Sequence, residues 1–130
     1  MLIGRAVRDR VFRQSVLRAY DSKCAVTGLR LINGGGRAEV EAAHIRPVEQ
    51  SGPDIISNGI ALCGTAHWMF DRGLITVAEN MEILISRQIN DPNSLRAMIN
   101  QTSFLQVPAR PAERPHPHFL LWHRENRFKA

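Results

Sequence analysis

Cysteine is scarce in this chain: Cys24 and Cys63 are its only two. Two thiols cannot build the web of disulfides that staples small extracellular scaffolds, so both are expected to stay reduced. Long apolar runs are missing as well. None approaches the ~18–20 residues needed to span a bilayer. The opening stretch MLIGRAVRDRVFRQ lacks the uninterrupted apolar centre of a secretory signal. The expected compartment is therefore the cytoplasm, with no membrane partner. Internal repeats are absent too, and no composition shift marks a second domain. With 130 residues, 44% of them hydrophobic, the chain has material for one modest core, since domains cluster near ~100–150 residues. The expectation is a single domain over 1–130 with a core motif at about 24–78.

Lysine is almost absent. Lys23 and Lys129 stand against fifteen arginines, in a chain of formal net charge +5 and pI near 10.2. Guanidinium forks match phosphate oxygens two at a time, so a basic, arginine-heavy chain points to a nucleic-acid partner. Genomic base composition explains the Arg:Lys ratio equally well, and charge alone decides little.

Val7, Val11, Phe12, Val16 and Tyr20 recur at helical spacing, predicting an amphipathic helix from about Ala6 to Tyr20. CAVTGLRLI reads as a strand or tight knuckle, Asn33-Gly34-Gly35-Gly36 as a turn, and Glu39 to Ile45 as the second strand of that hairpin. Pro47 to Ser57 has the composition of a surface loop. Asn58-Gly59 is read as opening a helix that ends at Gly73, with Ile60, Cys63 and His67 on one face. Strands are expected at Leu74–Val77 and Met81–Ile85, and a short helix around Ser94–Gln101. Pro108, Pro111, Pro115 and Pro117 mark an extended segment wrapping back over the body, before a last amphipathic helix from Phe119 to Phe128.

Chemistry concentrates in the middle. His44 stands at the exit of a strand, Asn58 ends a loop, and His67 and Asp71 lie four apart on a helix. Positions i and i+4 share a helical face, so an imidazole and a carboxylate there can hold one divalent cation and leave coordination sites open for a phosphate oxygen. His44, on the facing strand, is a candidate base for an attacking water. Each element also has an ordinary reading: a satisfied structural histidine, a surface pair, a helix cap at Asn58. The ordered combination is what tells.

CAVTG (Cys24–Gly28), AAHIRP (Ala42–Pro47), NGIALC (Asn58–Cys63), HWMFDRGLI (His67–Ile75) and the terminal FLLWHRENRF together resemble the HNH nucleases of ββα-metal fold, most closely the HNH domain of bacterial restriction endonucleases. The resemblance implies an α+β fold: a ββα-metal core with an N-terminal helix, an added β-hairpin and a C-terminal helix. It implies that His44 is the general base, that Asn58 fixes the loop orienting it, and that His67 and Asp71 ligate the metal. The expected cofactor is a divalent ion, Mg²⁺ or Mn²⁺, with Zn²⁺ or Ni²⁺ as alternatives, and the expected partner is DNA, cleaved to leave a 5′-phosphate. Arg46 and Arg72, beside the motif residues, are candidate phosphate contacts. A homodimer is left open.

The chain departs from the family pattern in two ways. Ala43 stands where many relatives place a metal-binding Asp or His, leaving Glu41 as a weak candidate to help. The knuckles read Cys24…Thr27 and Cys63…Ala66 rather than paired cysteines, so apolar packing is expected in place of a four-ligand structural zinc. Ala43 favours the competing reading, a non-catalytic nucleic-acid-binding module that keeps the scaffold. Restriction-type relatives often carry a specificity domain for which this chain has no room, so it reads as a stand-alone enzyme or a piece of a longer one.

Overall fold

A computed structural model describes residues 4–130; residues 1–3, which the single-domain expectation includes, lie outside it. The architecture is α+β. The first helix, α1 (Arg5–Ala19), leads into a knuckle and a long irregular stretch. Strands β1 (Glu41–His44) and β2 (Gly59–Leu62) follow, with helix α2 (Gly64–Asp71) directly after β2. Next come β3 (Ile75–Val77), β4 (Ile83–Ile85), the short helix α3 (Pro92–Met98) and the last helix, α4 (Pro117–Asn126). Among the described residues the strands form two antiparallel pairs, β1 with β2 and β3 with β4.

Burial explains the arrangement. From α1, Phe12 and Val16 are buried, and Tyr20 at its C-terminal cap continues the stripe at i, i+4 and i+8. Val7 and Val11, which the spacing put on the same face, are exposed instead. The inward stripe lies over the β1–β2 pair. Strand β2 is buried along its whole length, and Tyr20 donates its hydroxyl to the Gly59 carbonyl at 3.2 Å. Gly59 has no alternative, because a Cβ there would collide with Val16.

The hairpin differs from the expected one. Strand β1 pairs with Gly59–Leu62, from Glu41 opposite Leu62 to His44 opposite Gly59, and not with the CAVTGLRLI segment. That segment is a knuckle in which the amide of Gly28 donates to the carbonyl of Cys24 at 2.8 Å. Its one ladder contact is an isolated bridge between Ile32 and Ala38. Correspondingly, residues 59–62 are a strand where a helix was expected, and α2 starts only at Gly64. A four-residue apolar run fits either state, and burial on both faces selects the strand.

The remaining elements lie close to expectation, with β3 and β4 in register from Ile75 opposite Ile85 to Val77 opposite Ile83. The proline-rich segment does return to the body: the His116 amide donates to the Ser57 carbonyl at 2.9 Å. Cys24 and Cys63 are buried free thiols. They interact with each other, which lowers the pKa of Cys24 and raises that of Cys63.

Candidate active site

The order β1, loop, β2, α2 brings the motif residues around one cleft of about 330 Å³. His44, Val48, Glu49, His67, Asp71 and Arg127 are among the residues lining it.

His44 is held on two sides. The Phe12 ring stacks flat on it, with centroids 4.0 Å apart and planes 8° from parallel. Its Nε2 lies 2.8 Å from Oδ1 of Asp54. No buried side-chain nitrogen or oxygen among the described residues lacks a partner, and Nδ1 bonds to none of those residues, so solvent reaches Nδ1. A carboxylate accepts, so Nε2 carries the hydrogen and Nδ1 offers its lone pair. Asp54 is in turn clamped by Arg5, whose two guanidinium nitrogens lie 2.6 and 2.9 Å from its oxygens. Arg8 stands 3.7 Å away. Arg5, with His44 second, holds the Asp54 carboxyl below its ordinary pKa.

Asn58 is fully buried and spends its amide on the loop. Its Oδ1 accepts from the Arg46 amide at 2.9 Å, while Nδ2 donates to the carbonyls of Arg46 at 3.0 Å and Pro53 at 2.9 Å. The residue therefore ties the exit of β1 to the stretch carrying Asp54. Asn58 does not cap a helix, because strand β2 follows it directly.

His67 and Asp71 face each other across one turn of α2, Nε2 to Oδ2 at 3.2 Å. On the other side of the ring, Nδ1 lies 3.1 Å from Oε1 of Glu41. Asp71 first, then Glu41, push the His67 pKa up to about 9. Glu41 thus takes up the nitrogen opposite the one facing Asp71, the way a carboxylate fixes the tautomer of a metal-ligating histidine. Among the described residues no three His, Cys, Asp or Glu side chains are grouped so as to hold a metal. The donors on offer are an imidazole nitrogen and one carboxylate, a set with room for water and phosphate oxygens that suits a hard or borderline divalent ion. Ala43 is buried in the core, 1% exposed.

Arg46 and Arg72 do not line the cleft. Arg46 lies over the Trp122 ring at 5.7 Å and donates Nε to the Gln50 carbonyl at 2.5 Å. Arg72 stacks on Trp68 at 4.4 Å. Trp68 is 51% exposed, whereas its neighbours Met69 and Phe70 are buried. The guanidinium that reaches the cleft belongs to Arg127, just past α4.

Residues 24–78 match the family described as HNH endonuclease. This stretch is an HNH core. The fold is also similar to that of a modification-dependent TagI restriction endonuclease, with a TM-score of 0.67 and 21% identity over 88% of this chain and 36% of that one. The present chain thus spans about a third of that protein's length. No curated protein matches the chain. HNH nucleases generally use a divalent metal ion, and no helix among the described residues is long and apolar enough to cross a membrane.

Sequence reasoning missed Asp54, Arg5, Phe12 and Arg127. Asp54 lay in a loop rich in turn-formers, where an aspartate needs no special explanation. A faint signal was present in Arg5 and Arg8, which are spaced to lie on one face of α1.

Proposed function

We infer that the chain is a metal-dependent endonuclease, one HNH domain that hydrolyses phosphodiester bonds in DNA. The observation that carries this reading is the cleft itself, where a carboxylate-backed imidazole, His44, shares the walls with His67 and Asp71. The donors fit a divalent cation, held at Nε2 of His67 and the Asp71 carboxylate, which when bound supplies Lewis acidity toward the phosphate and its leaving oxygen. Every other part of the chemistry falls to the chain's own groups.

His44 takes a proton from water at Nδ1 while Nε2–H stays bonded to Asp54. The carboxylate stabilises the imidazolium that forms and holds the ring in the reactive tautomer. Phe12 prevents the ring from turning out of line. Glu41 fixes the plane of His67, and Asn58 keeps both ends of the His44–Asp54 pair in place. In-line displacement would leave a 5′-phosphate, as the family resemblance implies.

Nicking of supercoiled plasmid in Mg²⁺ or Mn²⁺, against an EDTA control and a His44→Ala variant, tests the reading. Cleavage that survives EDTA or the variant refutes it. One observation favours a second reading, a non-catalytic DNA-binding module: Ala43 offers no donor, which leaves a two-residue metal set. DNA binding without cleavage in either metal would select it.

A further inference from the structure

We propose that Arg127 is the phosphate-binding residue of the candidate site. It deepens the nuclease reading and rests on it. Arg127 contributes the one guanidinium among the residues lining the cleft that holds His44, His67 and Asp71.

Its position is built rather than incidental. The Arg127 amide donates to the His123 carbonyl at 2.9 Å, as does the Phe128 amide at 3.0 Å. Two residues on, the Lys129 amide donates to the Gly73 carbonyl at 2.9 Å. Gly73 has φ +74 and lies so close that a Cβ would collide with the Arg127 carbonyl. Below this clasp, His123 is buried, stacked on Phe70 with centroids 3.7 Å apart and bonded to the Phe70 carbonyl at 2.9 Å. Helix α4 is therefore pinned against the last turn of α2, two residues from Asp71.

The guanidinium itself is barely committed. It makes one long contact, Nη1 to the Asp71 carbonyl at 3.4 Å, and lies 6.0 Å from the Trp122 ring. Among the described residues it forms no salt bridge, since the Asp71 carboxylate is turned to His67. Its fork remains available to a phosphate, in the two-pronged geometry that lysine cannot copy. Glu49 and Asp71 bring negative charge into the same cleft, so an entering phosphodiester meets repulsion that Arg127 offsets. Arg46, whose Nε donates to the Gln50 carbonyl, and Arg72, stacked on Trp68, are not among the residues lining the cleft.

The test uses the full chain. Duplex DNA is titrated in EDTA over a range of NaCl, so that contacts are read without turnover, and plasmid cleavage is then followed in Mn²⁺. Arg127→Ala should flatten the dependence of log affinity on log salt by about one phosphate contact. It should lower kcat/KM by about 10- to 100-fold, the range of one charge-assisted contact. Arg127→Lys should keep the salt slope and lose most of the rate. Arg96→Ala, which removes the same charge from α3, should change neither. Thermal unfolding of all variants separates loss of fold from loss of contact, and Arg127→Lys retains the packing stem. An Arg127→Ala protein that matches Arg96→Ala in slope and rate overturns the proposal, as does wild type that fails to bind duplex. Wild type that binds with the expected slope change but never cleaves keeps the phosphate contact and removes the nuclease reading instead.

Discussion

Replacing Asn58 by alanine should cost about 3 kcal/mol of stability. The figure follows from three hydrogen bonds made by one fully buried amide, each contributing about 1 kcal/mol net. Small domains have only ~5–15 kcal/mol in total, so the variant should fold with a midpoint roughly 10 °C lower, using the usual unfolding entropy per residue. The loss should be local before it is global. With the amide gone, the carbonyls of Arg46 and Pro53 lose their shared donor, and the loop carrying Asp54 is released from the exit of β1. Hydrogen exchange across residues 47–57 should speed up while the β3–β4 pair stays protected. Asn58→Asp is the sharper variant: it keeps the shape but turns an oxygen toward two carbonyl oxygens, so it should be no more stable than alanine. Urea denaturation with exchange measurements reads both. A cost under ~1 kcal/mol with unchanged loop exchange would refute the reasoning and leave Asn58 as a spectator.

His44→Ala should reduce cleavage by ~10²–10⁴-fold with little change in DNA affinity, as judged by nicking and binding assays on one preparation. Asp54→Asn should impair cleavage less completely than His44→Ala, because the ring loses the carboxylate that orients it; cleavage at the wild-type rate would detach Asp54 from the chemistry. Calorimetric titration of Mn²⁺ should show weaker binding for His67→Ala and for Asp71→Ala, and almost none for the double variant. Stability should depend on His123, whose pKa burial lowers to about 4. The unfolded chain binds that proton from ~6.5 downward, so the contribution is complete above pH 6.5 and is lost as the pH falls toward 4. The loss is on the order of 3 kcal/mol. Against wild type, a His123→Gln protein should show a flatter stability curve across that window in urea unfolding.

The motif residues were legible in the sequence because their chemistry is tied to local spacing. His67 and Asp71 had to share a helical face, and His44 and Asn58 had to flank a loop. The extent of α1, though not the inward placing of Val7 and Val11, followed from periodicity, as did the β3–β4 pair and α4. What the sequence hid was pairing over distance. Gly59 to Leu62 is apolar enough for a helix or a strand, and pairing with β1 beneath Phe12 and Val16 makes it a buried strand. The Asp54 carboxylate is indistinguishable from any loop acid until Arg5, 49 residues away, is seen to hold it. Trp68, next to the buried Met69 and Phe70, lies outside with a guanidinium over its face, which composition alone does not reveal. Arg127 is one of fifteen arginines, and only the clasp at Gly73 brings it to the cleft.

The grip of Arg5 on Asp54 has a thermal consequence. Arg5 is the first residue of α1, and the preceding Gly4 supplies no side-chain cap, so this turn is where the helix has least intrinsic reason to persist. Fraying of a single turn withdraws the chief counter-charge of Asp54 and frees its carboxylate to swing away from His44, while Phe12 and Val16 still pin the rest of the helix. Warming should therefore switch the site off at temperatures where circular dichroism still reports an intact fold. A graft of a better cap at position 4 should move that inactivation point upward without touching a single residue of the cleft.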